Sequence, residues 1–132
     1  MIITIRTVGV EQASEVHRLM QLAFEEYRGR LVPPSGALTE TIDDVRTAIR
    51  GGGAFLAFAG KVAVGSARYR LVPDHAYAER IAVLPAHRER GIAVALMAAF
   101  EEAIQALRVP EARVGVRASL PSNLVSLLGE VG

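Results

Sequence analysis

The stretch from Glu79 to Leu107 narrows the possible folds more than any other part of this sequence. A short apolar run, Ile81-Ala82-Val83-Leu84, meets Pro85. Proline has no N–H to give to a sheet ladder, so a strand over Tyr77–Leu84 ends there. A polar loop, His87-Arg88-Glu89-Arg90-Gly91, follows. Arg90–Leu107 then places Ile92, Leu96, Ala99, Ala103 and Leu107 at helical spacing, which predicts an amphipathic helix with those residues on its buried side. Pro110 breaks the chain, and Ala112–Ala118 reads as another strand. Strand, helix and strand joined by short loops predict a right-handed parallel crossover.

The residues on either side fill in the layers. Ile2–Val8 reads as a first strand. Glu11–Arg28 switches to helical period, with Val16, Leu19, Met20, Ala23, Phe24 and Tyr27 on one face. Pro33, Pro34 and Gly36 make Leu31–Leu38 a loop. Thr41, with Asp44 three residues on, predicts the cap of a second helix whose apolar face is Ile42, Val45 and Ile49, ended by Gly51-Gly52-Gly53. Ala54–Ala59 and Val62–Leu71 read as a hairpin around Gly60-Lys61. Ser122 caps a last helix, Asn123–Leu128. The order β-α-α-β-β-β-α-β-α predicts a single α/β domain over residues 1–132, with a mixed sheet.

Composition excludes several classes of function. The 132 residues hold no cysteine, so disulfides, a thiol nucleophile and thiolate metal sites are excluded. At 51% hydrophobic and 22% charged, the chain can build a core. A formal net charge of +1 gives no reason to expect nucleic acid or an acidic membrane as partner. The start lacks a signal-peptide pattern, and Glu101, Glu102 and Gln105 interrupt the most apolar helix, so a cytoplasmic location is expected, with no membrane span. His17, His75 and His87 have no ligand partners at metal-binding spacing, and no metal is expected.

The chemistry is expected where the strand hands over to the helix after Pro85. Amides at a helix N-terminus are unpaired and the macrodipole is positive there, which suits a phosphate or pyrophosphate. Gly91 allows close backbone approach, Ala93 is small, and Arg88 and Arg90 add positive charge. Regular alternation along Tyr77–Leu84 puts Tyr77, Glu79, Ile81 and Val83 on one face. A dinucleotide fold needs a Gly-x-Gly-x-x-Gly turn, which one glycine does not supply, and Gly60-Lys61 lacks the Ser or Thr of a Walker loop.

Arg88, Gly91 and Ala93, set between the strand Ile81-Ala82-Val83 with its Pro85 and the long helix, resemble the Arg/Gln-x-x-Gly-x-Gly/Ala signature of the GNAT-type N-acetyltransferases. The resemblance covers nearly the whole chain and implies acetyl-CoA as co-substrate, with direct attack by a small-molecule or protein amine in a ternary complex. It implies that Ile81 and Val83 pair with the pantetheine arm, and that the Val83 N–H receives the thioester oxygen. Arg88, Arg90, Gly91, Ile92 and Ala93 meet the pyrophosphate, and Asn123 matches a common Asn. Glu79 is the implied base acting through water, and Tyr77 a substrate-wall residue. Two departures stand out. Leu128 occupies the position of the usual thiolate-protonating Tyr, and the family's last two strands are missing after Gly132, as in a fragment of a longer product or in a domain that a partner chain completes. Both motivate an alternative, a CoA-binding interaction module with little or no activity. The first helix and its loop are a possible homodimer surface. Glu79 also has a simpler reading, as a strand residue paired with Arg80 or Arg68.

Overall fold

The computed structural model describes residues 2–25 and 39–114. Five strands form one sheet in chain order: β1 (Ile3–Val8), β2 (Gly52–Ala59), β3 (Val62–Val72), β4 (His75–Val83) and β5 (Ala112–Val114). The first four pair antiparallel, and β5 joins β4 in parallel through Ala76–Ala78 against Ala112–Val114. The expected mixed sheet is therefore present. The predicted last helix, Asn123–Leu128, lies outside the described residues, as does the second half of the predicted last strand.

Helices cover both faces. α1 (Ala13–Phe24) and α2 (Ile42–Arg50) bury Val16, Leu19, Met20, Val45 and Ile49 against Ala54, Leu56 and Ala82. α1 is preceded by a 3₁₀ turn at Val10–Gln12, so the helix starts later than its periodicity suggests. Before α2 the reciprocal cap forms as expected: the Asp44 N–H donates to Thr41 Oγ1 at 3.1 Å, and the Thr41 N–H to Asp44 Oδ2 at 2.9 Å.

α3 (Ile92–Ala106) lies on the other face. It buries Ile92, Ala93, Leu96, Met97, Phe100 and Ile104. The predicted apolar stripe was set one position off: Leu107 is exposed, while Met97 and Phe100 occupy the centre. Phe100 leans on Tyr69 at 5.5 Å between ring centroids, and Tyr69 stacks on Phe55 at 5.8 Å. No helix of the described residues is long and apolar enough to cross a membrane.

The triple glycine does more than end a helix. Gly51 caps α2, but Gly52 and Gly53 already belong to β2. A Cβ on Gly52 would stand 1.8 Å from the Tyr69 carbonyl oxygen, and one on Gly53 would meet the Tyr69 ring at 2.6 Å. These glycines let β2 press against β3. Because the clash at Gly52 is with backbone, Gly52→Ala is expected to destabilise the domain by about 3 kcal/mol or more, read from urea unfolding. A loss under about 1 kcal/mol would mean that the strands separate there at little cost.

Candidate active site

Between β4 and α3 the chain makes a 3₁₀ turn at Pro85–His87 and then bends sharply. Glu89 and Gly91 both adopt left-handed conformations, with φ of +64° and +77°. Left-handed residues in a turn direct backbone N–H groups into a shared concavity that accepts anions. Gly91 is the N-cap of α3 and no side chain caps the helix; the first turn carries no acidic residue. The helical ladder begins with the Ala95 N–H on the Gly91 carbonyl, so the preceding amides are the unpaired donors of the helix end. A Cβ at Gly91 would meet nothing within 4 Å. Glycine is needed there for its φ, and not for close packing within the chain. The side chains of Ile92 and Ala93 are buried in the core, so what they turn to the loop is backbone.

Arg88 is not a free cation at the mouth of this turn. Its Nε donates to the Val83 carbonyl at 3.1 Å and its Nη2 to the Ala23 carbonyl at 3.3 Å. The guanidinium ties the loop to the end of β4 and to the last turn of α1. Arg90 is exposed beside the helix start.

β4 itself departs from regular alternation. Ser66 faces Ala82, but Arg68 faces Glu79, so three residues of β4 are matched by two of β3. The extra residue is a β-bulge, and Arg80 takes a φ of +52° to make it. The expected common face of Tyr77, Glu79, Ile81 and Val83 is therefore wrong. Ala76, Ala78, Ile81 and Val83 belong to the core beneath α3, while Ala82 packs with α1 and α2. Tyr77 and Glu79 alternate with Ala76 and Ala78 and stand on the α1/α2 side. The bulge switches the strand from one phase to the other.

It also sets which backbone groups are free to bind. The Leu84 N–H donates to the Val64 carbonyl at 2.9 Å. In an antiparallel ladder this turns the N–H and C=O of the neighbouring Val83 to the opposite edge, toward β5. The Arg88 contact to the Val83 carbonyl agrees. Ile81 has the same phase. Among the described residues β5 pairs with β4 only at Ala76–Ala78, so the edge at Ile81 and Val83 lies beyond that pairing.

On the α1/α2 face stands a charged group that the sequence reading did not assemble. Arg68, almost wholly buried, forks onto Glu40: Nη1 to Oε2 at 2.8 Å and Nη2 to Oε1 at 2.6 Å. Arg80 donates its Nε to Glu40 Oε1 at 2.9 Å. Burial pushes the Glu40 carboxyl up, but the hydrogen bonds and charges of Arg68 and Arg80 outweigh it and hold it below the ordinary glutamate value. Glu79 Oε1 lies 3.6 Å from Arg68 Nε and 3.5 Å from Arg70 Nε. The Arg70 guanidinium rests over the Tyr77 ring, 4.9 Å from its centre. His17, expected on the helix surface, bonds through Nε2 to the Glu40 carbonyl oxygen at 2.8 Å.

Of the residues picked from the sequence, the structure thus gathers Val83, Arg88, Arg90, Gly91, Ile92 and Ala93 around the loop, with Ile81 next along the edge. Glu79 and Tyr77 lie on the α1/α2 side of the same strand. Asn123 and Leu128 fall outside the described residues. Arg68 is read from the sequence only as a partner for Glu79, and it does lie beside it; Glu40 and Arg70 are missed, although Arg68 and Arg70 alternate with apolar residues in β3 and so announce one charged face.

A family model described as the acetyltransferase (GNAT) family matches residues 16–123. No curated protein sequence matches the chain. The chain is similar in fold to the PaiA N-acetyltransferase of Thermoplasma acidophilum, solved in complex with coenzyme A, with a TM-score of 0.80, 16% identity, and coverage of 98% of this chain and 89% of that one. It is similar to an aminoglycoside acetyltransferase from an uncultured soil metagenomic sample, with a TM-score of 0.79, 17% identity, and coverage of 100% and 91%. It also resembles AAC(6')-Iy in complex with a bisubstrate analogue, CoA-S-monomethyl-acetylneamine, with a TM-score of 0.74, 20% identity, and coverage of 100% and 90%. Identities this low carry the fold and nothing finer.

Proposed function

Since the chain belongs to the acetyltransferase (GNAT) family, we propose that it moves an acetyl group from acetyl-CoA to a primary amine by direct attack in a ternary complex. The observation that carries this reading is the uncapped, left-handed entrance to α3 beside a strand edge that no other described strand pairs with. The turn at Glu89–Gly91 and the first amides of α3 suit the pyrophosphate, with Arg90 adding charge and Arg88 holding the turn in shape. The outward backbone groups of Ile81 and Val83 suit the amide-rich pantetheine arm. That relatives of this fold bind coenzyme A and a bisubstrate analogue supports the same reading.

Strand geometry distributes the roles. Across the bulge, Glu79 faces Arg68 and Val83 faces Gly65, three residues of β3 and so about 10 Å apart along the strand, with Ile81 nearer to Glu79. A single water bridges the shorter span. If Glu79 takes the proton, the thioester carbonyl sits nearer the Ile81 N–H, and the Val83 N–H serves the arm above it. The acceptor nitrogen attacks the carbonyl carbon, its proton passes through water to Glu79, and the C–S bond breaks to release the CoA thiolate. A thiol has a pKa near about 8.5, so its thiolate leaves without strong assistance. Tyr77, fixed under Arg70, forms part of the acceptor wall.

Acetyl-CoA and CoA are expected to raise the melting temperature, while NAD and ATP do not. Free thiol released across an amine panel then reports transfer. Binding with no thiol released from any amine would replace this reading with a CoA-binding module. In the Glu79→Gln protein, kcat is expected to fall by roughly 10² to 10⁴ with acetyl-CoA affinity kept. An unchanged rate at every pH removes Glu79 from the proton path.

A further inference from the structure

We propose that the acceptor is an amine carrying a carboxylate close to its nitrogen, an amino acid or a near relative, with Arg70 gripping the carboxylate and Glu79 receiving the ammonium. This rests on the acetyltransferase reading and names the substrate class of that site.

The side of approach follows from packing. Beneath the edge at Ile81 and Val83, the α3 face is filled by Ile81, Val83, Ile92 and Leu96. A nucleophile reaching a thioester on that edge must come over the α1/α2 face. The side chains waiting there are Tyr77, Glu79 and Arg80 of β4, with Arg68 and Arg70 of β3.

These groups are not equally committed. Arg68 gives both terminal nitrogens to Glu40, and Arg80 gives its Nε to the same carboxylate. The Arg70 side chain is half-exposed and, among the described residues, makes no hydrogen bond; it has the 3.5 Å approach to Glu79 and the Tyr77 ring beneath it. The ring supports the guanidinium, and a half-exposed guanidinium can donate two parallel bonds to a carboxylate. Arg68 Nε is buried and without a hydrogen-bond partner, 3.6 Å from Glu79. Three arginines thus share Glu40 and Glu79. The other acids nearby are engaged at the rim: Asp44 caps α2 through Thr41, and Asp43 pairs with Arg46.

A half-exposed arginine and the carboxylate it approaches at 3.5 Å match a zwitterion that takes the place of their mutual contact, with –COO⁻ on Arg70 and –NH₃⁺ on Glu79. A polycation such as an aminoglycoside would bring like charge against the guanidiniums.

The test compares amines in pairs that differ by the carboxylate: phenylalanine with phenethylamine, leucine with isoamylamine, β-alanine with ethylamine. Spermidine and kanamycin represent polycations. Thiol release gives kcat/KM, and calorimetry on the CoA-bound protein gives affinity. The carboxylated partner is expected to lead by about tenfold or more, chiefly in KM, and the lead should collapse in Arg70→Met and recover in part in Arg70→Lys. Decarboxylated amines or polycations used equally well, a preference that survives Arg70→Met, or no amine bound at all would each overturn the proposal. Selective binding of the carboxylated partners without thiol release would uphold it while refuting acetyl transfer. Turnover without preference would do the reverse.

Discussion

Replacing Glu40 by alanine is expected to lower folding stability by about 3–5 kcal/mol, because it strands a buried guanidinium. Arg68 is 5% exposed, and its two terminal nitrogens bind Glu40 and nothing else among the described residues. Removing the carboxylate leaves a charge in low dielectric with Glu79 at 3.6 Å as its remaining neighbour. The same contact has a pH signature. Glu40 is held below its ordinary value of 4.5. A carboxyl depressed in the folded state contributes fully above its unfolded pKa, and the contribution is lost as pH falls through the lower folded value. The wild-type protein should therefore lose stability more steeply than Glu40→Ala from about pH 5 downward, and the two should converge in acid. Urea titrations at several pH values measure this. A difference at neutral pH below about 1 kcal/mol would show that Arg68 finds water or Glu79 instead.

Gly91→Val is expected to weaken acetyl-CoA binding on the order of 100-fold while leaving the fold in place, the loss of one or two charge-assisted hydrogen bonds. A side chain at this position has room, since a Cβ meets nothing within 4 Å. The difficulty is the φ of +77°. A β-branched residue resists that conformation, and left-handed backbone costs a non-glycine residue about 1–2 kcal/mol. If the backbone relaxes to negative φ, the amides at the start of α3 turn away. Gly91→Asn is the control, because asparagine tolerates the left-handed region. It should keep most of the affinity. Calorimetric titration with acetyl-CoA separates the two variants, and equal affinities would show that the turn is not the pyrophosphate seat.

Much of this was legible in the sequence because local signals agreed with tertiary demands. Thr41 and Asp44 announced a reciprocal cap that the structure contains, and Gly60-Lys61 the hairpin, where Gly60 has a φ of +62°. The turn after Pro85 could be found because proline, arginines, glycine and an apolar period fall in one order. Three things could not be read in the same way. Gly52 looks like a helix stop, and only the nearness of Tyr69 reveals a strand contact. The Glu40–Arg68 pair joins positions far apart in the chain, and no periodicity links a loop end to a strand centre. The bulge at Arg80 left a faint trace: Glu79-Arg80 is a polar doublet inside a run that otherwise alternates. Read as regular alternation, it placed Glu79 on the wrong side relative to Ile81.

That one surplus residue decides what a deletion in β4 would do. Excising Arg80 would restore strict alternation: Glu79 would directly precede Ile81 on the opposite face, and Tyr77, Glu79, Ala76 and Ala78 would keep the sides they have now. What would vanish is the doublet, two consecutive side chains on one surface, and with it the Arg80 link to Glu40. Ironing the kink flat with Arg80 kept would be the harmful change, because Tyr77 and Glu79 would then be driven into the oily layer under α3.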